Sequence, residues 1–225
     1  MIVPLSEAQF RARIDAILAG YQSGGTRSSV IAPGAKQGKL YELWVAAEVL
    51  RRLAIHEGYT ATLRGGTSLV LRSQGGPISL AYAHFELAHP RRPPLAMWTD
   101  IEFVGMSYGL TGPTSRLAGA FYHELDLVVV DAGVTGRPRH DQIVIGVECK
   151  NTNTYEKRMA REAFGVRREL SLLQPGRTRF RSWPIADVPA VPPSCLMVYA
   201  SDGRVSRYVD PGVAYGVQFE HLSAP

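Results

Sequence analysis

Cysteine is nearly absent. Only Cys149 and Cys195 occur in 225 residues, each inside an apolar run and neither at zinc-ligand spacing. That excludes a disulfide framework and a cysteine-held zinc, and leaves two reduced thiols expected to be buried. No run of apolar residues is long enough to span a bilayer, so a membrane partner is not expected. The start of the chain (Met1-Ile2-Val3-Pro4-Leu5-Ser6-Glu7) lacks a basic segment followed by an apolar one, so a soluble cytoplasmic protein is expected. A phosphate loop is also missing: Arg64-Gly65-Gly66-Thr67-Ser68 has neither the Gly-Lys-Ser/Thr ending nor a following helix. Ser-His-Asp catalysis has no local signature either. With no internal repeat and no linker, the 225 residues read as one domain.

What is present is a globular composition, 45% hydrophobic and 20% charged. The 25 Lys+Arg against 20 Asp+Glu give a formal charge of +5, which permits a polyanionic partner without requiring one.

Periodicity divides the chain into elements. Ser6-Glu7-Ala8-Gln9 has capping-box spacing, and Phe10, Ile14, Ile17 and Leu18 recur at helical intervals. A helix is expected over about residues 6 to 22, within an N-terminal arm ending near residue 37. A stronger helix runs from Lys39 to about Glu57, with Leu40, Leu43, Ala47, Leu50 and Ala54 as its apolar stripe. A β-rich region follows near residues 59 to 104, in runs 59–64, 68–72, 78–87 and 97–104, with Gly75-Gly76 as a hairpin turn. The most β-like stretch is Phe121 to Asp131, and a second strong strand runs from Gln142 to Lys150. Tyr155 to Leu173 is expected as a helix, Cys195 to Tyr199 as a strand, and Asp210-Pro211-Gly212 as a turn in a C-terminal extension over 201–225. The order predicts an α/β fold with a mixed central sheet flanked by helices.

Charged residues converge on the strand ends. Side chains two apart on a strand share a face, which pairs Glu124 with Asp126, flanked by Tyr122 and Val128, and pairs Glu148 with Lys150. An apolar strand that closes in Glu148-Cys149-Lys150 brings charges to a buried edge, where they need a partner or a metal. On the Lys39 helix, Glu42 falls with Ala46, Val49 and Leu53 at the margin of the stripe, whereas Glu48 is explained by an i,i+4 pair with Arg52. Glu42 is therefore the chosen helix carboxylate. Glu124 is an auxiliary candidate, and Asp100 is the alternative to Asp126 under a different strand placement. His123 turns to the opposite face from Asp126 and reads as a packed strand residue.

Glu42 on a helix, Glu-Leu-Asp126-Leu-Val-Val-Val on a strand, Val-Glu148-Cys-Lys150 closing the next, then a helix and a strand: over roughly residues 38 to 200 this resembles the PD-(D/E)XK nuclease superfamily. The resemblance implies a restriction-endonuclease-like α-β-β-β-α-β core carrying a β-rich insertion. It further implies that Asp126 and Glu148 bind Mg²⁺ or Mn²⁺ with the main-chain carbonyl of Cys149, that Glu42 ligates directly or through water, and that Lys150 positions or activates the attacking water. Hard oxygen donors suit those ions and not zinc. Two departures stand out: no proline precedes Asp126, and the stretch from Tyr59 to Val104 exceeds a minimal core.

The implied activity is endonucleolytic hydrolysis of DNA, in restriction or host defence. Its alternatives are a structure-specific repair or junction nuclease and a non-catalytic nucleic-acid-binding module. Two-strand cleavage would call for a homodimer or larger assembly, and an activating partner protein is compatible with the sequence. For phosphate contacts, Lys157, Arg161 and Arg168 lie on one helix flank, with a solvated face balanced by Glu156, Glu162 and Glu169 as the equal alternative. Arg177, Arg179 and Arg181 form either a basic edge, with Phe180 or Trp183 stacking on a base, or a basic loop.

Overall fold

Ser6 and Gln9 cap one another: Ser6 Oγ accepts the Gln9 N–H at 3.3 Å and Gln9 Oε1 accepts the Ser6 N–H at 2.9 Å. This reciprocal cap opens α1 (Glu7–Ala19), which buries Phe10, Ile14 and Leu18. The computed structural model describes residues 5–23, 28–31, 37–69, 71–111, 119–174, 180, 183–184 and 189–224. In α2 (Gln37–Arg52) the buried surface is wider than one stripe, since Leu40, Leu43, Ala47 and Leu50 are joined by Tyr41, Val45, Ala46 and Val49. That follows from its position, packed against α1 and across two central strands. A π-helical turn, Leu53–Glu57, continues α2 and leaves Ala54 exposed. It stops at Gly58, whose φ of 76° suits a residue without Cβ.

The strands are β1 (Thr60–Arg64), β2 (His84–Ala88), β3 (Leu95–Val104), β4 (Tyr122–Asp131) and β5 (Ile143–Lys150), with the short α3 (Met106–Thr111) between β3 and β4. After α4 (Lys157–Leu170) come β6 (Leu172–Leu173) and β7 (Ala190–Val191), which pair with each other. β8 (Cys195–Ala200), α5 (Val209–Ala214) and β9 (Val217–His221) end the described chain. One seven-stranded mixed sheet runs in the order β1-β2-β3-β4-β5-β8-β9. Its first four pairings are antiparallel and its last two parallel. A parallel step needs a crossover, and α4 supplies it between β5 and β8. The molecule is thus α/β, with α1 and α2 over one face and α4 over the other.

Several expectations change. Within the C-terminal extension β9 pairs with β8 and joins the central sheet. Asp210-Pro211-Gly212 lies within α5 rather than in a turn. In the 59–104 region Leu69 and Ile78 make isolated bridges, the expected run 78–87 becomes a strand only from His84, and Gly75-Gly76 is no hairpin: Gly76 bridges to Ile101, flanking the part of β3 that β2 is too short to cover. Cys149 and Cys195 are both free thiols. No described helix is long and apolar enough to cross a membrane.

Side-chain alternation slips in the middle of the sheet. On β4, Leu127 and Val129 face the α2-side core while Val128 and Val130 face the α4 side, yet Leu125 joins the α4 side too. On β3, Met97 faces α2, but Ile101 and Phe103 both face α4. Asp100, with φ 53°, is the one non-glycine at positive φ among the described residues and sits at this slip. Asp126 therefore does not share a face with Val128, as strict period-two alternation required. It turns toward α2.

Candidate active site

Three elements bring three carboxylates together on the α2 side. One oxygen each from Glu42 (α2), Asp100 (β3) and Asp126 (β4) lie within 4.8 Å of one another. Asp100 thus stands beside Asp126 instead of replacing it. Its side chain is fully buried, accepts the Arg72 N–H at 2.9 Å, and receives Lys39 Nζ at 2.5 Å. Lys39 also donates to Glu42 at 2.8 Å, one helical turn away on the same helix. Asp126 accepts the Cys149 N–H at 2.6 Å, which fixes it against the backbone of β5.

Glu148 and Lys150 are in register with Val198 and Ala200 of the α4-side core, so they leave the sheet toward that side. They pair with each other at 2.7 Å. Glu148 accordingly lies outside the three-acid group, and Asp126 is the group that reaches both halves. The pleat decides this: Val147 faces α2, so its neighbour Glu148 cannot. Glu124 pairs across strands with Glu102, and a Cβ on Gly75 would come within 2.8 Å of its side chain. It is exposed and takes no part in the acid group.

The electrostatics are those of an under-compensated site. Glu42, Asp100, Asp126 and Glu148 bring four carboxylates against the two ammonium groups of Lys39 and Lys150. Burial, then the neighbouring Asp126, pushes the Glu42 carboxyl up to about 8. Burial also raises Asp126, with the Cys149 N–H acting against it, and raises Glu148 against the pull of Lys150. Burial opposes the charge on Lys39, but its bonds to Asp100 and Glu42 outweigh this and hold it above the ordinary lysine range. Lys150 is likewise held above its ordinary value by Glu148 against its own burial.

A divalent cation fits this donor set. The oxygens are hard donors of the kind Mg²⁺ and Mn²⁺ take, and Glu42, Asp100 and Asp126 could hold such an ion. The Lys39 ammonium already marks a place where positive charge is stabilised between Glu42 and Asp100.

Of the candidate nucleic-acid contacts, Lys157, Arg161 and Arg168 are exposed on α4. Their expected balancing acids are used elsewhere: Glu156 bonds Arg158 at 2.7 Å, Glu162 lies 3.9 Å from Arg158, and Glu169 accepts the Ser107 N–H. Among the described residues no carboxylate comes within ion-pair distance of Lys157, Arg161 or Arg168. Arg177, Arg179 and Arg181 lie outside the described residues. Phe180 and Trp183 are buried in the α2-side core, so neither ring is open to stack on a base. His123 packs on Phe103 and lies 3.8 Å from Glu169.

Lys39 and the joint role of Asp100 escaped the sequence reading. The i,i+3 spacing of Lys39 and Glu42 was a usable signal, as was an aspartate interrupting the apolar Met97–Phe103 run. Compared with family models, curated proteins and solved structures, the chain matches none.

Proposed function

We propose that this chain is a metal-dependent nuclease of the PD-(D/E)XK type that hydrolyses phosphodiester bonds in DNA with Mg²⁺ or Mn²⁺. The observation that carries the proposal is the convergence of Glu42, Asp100 and Asp126 at the end of the sheet where β5 closes in Glu148-Cys149-Lys150. The element order supports it: α2, the antiparallel β3-β4-β5, the α4 crossover and the parallel β8 correspond to the α-β-β-β-α-β core of that family.

In this reading Asp126 is the central ligand, with Glu42 and Asp100 completing the acidic side. The ion supplies charge neutralisation at the phosphate and a water of lowered pKa. Lys150, on the α4 side of β5 and held by Glu148 at 2.7 Å, would supply positive charge to the phosphate rather than a ligand to the ion. Lys39 keeps Glu42 and Asp100 from driving each other apart. The exposed cations of α4, which starts seven residues after Lys150, follow the DNA backbone.

The test is cleavage of plasmid and linear DNA with Mg²⁺, Mn²⁺ or EDTA, comparing wild type with Glu148→Ala and Lys150→Ala. Metal-dependent cutting lost in both variants is the expected result. Cutting that survives both substitutions would sink the site assignment, and a folded wild type that binds DNA in a salt-dependent manner without cutting would make the chain a binding module.

A further inference from the structure

Lys39 stands where its own helix does not favour it. It is the third residue of α2, in a first turn that contains no acid, and the positive end of the helix macrodipole disfavours a cation there. What holds it is the acidic centre. Its ammonium donates to Glu42 Oε2 at 2.8 Å and to Asp100 Oδ1 at 2.5 Å, and its side chain keeps 21% exposure while that of Asp100 has none.

The carboxylate oxygens of the centre divide into those already taken and those open. Asp100 has both taken, Oδ1 by Lys39 and Oδ2 by the Arg72 N–H at 2.9 Å. Glu42 and Asp126 each have one taken, Oε2 by Lys39 and Oδ2 by the Cys149 N–H. Glu42 Oε1 and Asp126 Oδ1 accept no hydrogen bond among the described residues. A divalent ion therefore finds two open ligands and a third that is engaged. Of the two groups on Asp100, the Arg72 N–H is neutral main chain, whereas the Lys39 ammonium is a charge on a flexible stem. Two cations on one buried oxygen, 2.5 Å and about 2.1 Å from it, repel each other strongly, so the ammonium is the group that gives way.

We infer that Lys39 is the resident cation of the acidic centre and exchanges places with the divalent ion, which enters between Glu42, Asp100 and Asp126 as the ammonium leaves Asp100 for solvent. In the metal-free protein Lys39 keeps the carboxylates from driving one another apart, and in the loaded protein the ion does so. The exchange rests on the reading of this centre as a metal site and goes beyond it in naming the group that the ion displaces. It makes Lys39 the residue that sets how tightly the ion is held, because every binding event breaks a charge-assisted bond first.

The experiment uses the full chain without DNA. Reductive methylation of lysines, read by mass spectrometry at the peptide carrying Lys39, is compared in EDTA and in saturating Mg²⁺, and ion binding is followed in parallel by calorimetry. Lys39 is expected to react slowly in EDTA and several-fold faster in Mg²⁺, with no such change in Asp126→Asn. In Lys39→Met the ion is expected to bind about tenfold more tightly, since no charge-assisted bond has to be broken first. Lys150→Met removes a charge that does not touch the three acids, and it changes the affinity less. Labelling of Lys39 that Mg²⁺ leaves unchanged, while calorimetry shows an ion bound through Asp126, would overturn the exchange and leave the nuclease reading standing. An ion held no more tightly by Lys39→Met than by wild type would overturn it too. Labelling that rises as expected in a chain that cuts no DNA would support the exchange and sink the nuclease reading. Absence of any bound ion would sink both.

Discussion

Glu42 and Glu48 are two glutamates on one helix, six residues apart, and they live in opposite environments. Glu48 is clasped by Arg51 at 2.7 Å and Arg52 at 2.7 Å, and Arg52 continues to Glu220 at 2.8 Å. Burial alone would raise its carboxyl, but the two arginines hold it below the usual carboxylate range. Glu42 has one lysine, shared with Asp100, and two other carboxylates within 4.8 Å, and it is pushed up to about 8. One end of α2 is thus electrostatically finished and the other is not. A folded chain tolerates crowded like charges when they serve something other than its own stability, and such sites are where perturbed carboxyls cluster.

The sharpest way to break this contrast is at Asp126. Asp126→Asn keeps an acceptor for the Cys149 N–H but removes the central charge. DNA cleavage in Mg²⁺ is expected to fall by about a thousandfold, the loss typical of one strong electrostatic group in an active site. If the acid group holds the ion, Mg²⁺ should raise the Tm of the wild type and not that of this variant. Cleavage within a factor of a few of wild type would remove Asp126 from the centre.

Next in size is Asp100→Ala. It leaves Lys39 without its buried partner and places a residue that dislikes positive φ at 53°. Removing one member of a buried ion pair costs about 3 kcal/mol, to be read from urea unfolding without metal. A loss below about 1 kcal/mol would mean that the Lys39 contacts hold nothing in place.

Smaller are the neutralising changes at the two glutamates, and here the sign is the point. In EDTA, Glu42→Gln should stabilise the protein by about 1 kcal/mol, because it relieves repulsion. Glu48→Gln should destabilise it by about 1 kcal/mol, because it strips two arginines of their partner. Equal signs would erase the distinction between the two ends.

The smallest effect is the pH dependence. Glu48 is depressed in the folded state, so its contribution is complete above the unfolded glutamate value of about 4.3 and is lost as pH falls through the folded pKa. Glu42 is raised, so the folded state keeps a proton that the unfolded chain releases, and stability declines as pH rises from about 4.3 toward 8. Metal-free unfolding of Glu48→Gln should show a shallower acid loss than wild type, and Glu42→Gln a flatter neutral limb.

How much of this was legible from residues varies with the range of the interaction involved. The cap of α1, the Glu48–Arg52 pair, the strands β4 and β5 and the crossover helix α4 all rest on contacts within a few residues or on hydrophobic period, and all were readable. Glu42 was readable for the same reason, as a charge on an apolar margin, although its i,i+3 partner Lys39 was not recognised. Asp100 was visible only as a substitute for Asp126, because period-two alternation assumes an unbroken pleat, and the pleat slips where Asp100 takes positive φ. Lys39 was seen as a helix start and not as the clamp between two acids, since its bond to Asp100 spans 61 residues. The C-terminal strand β9 was missed because a short parallel edge strand has little pattern of its own and is held by its neighbour β8.

The sequence by itself determined that the chain is α/β, that Glu148 and Lys150 share a strand face, and that Glu42 lies at the margin of an apolar stripe while Glu48 pairs with Arg52. These are consequences of periodicity and near spacing. Only the tertiary structure decided which acids meet. A one-residue slip of the pleat moves a carboxylate from one side of a sheet to the other, and that slip is set by packing across β3, β4 and α2.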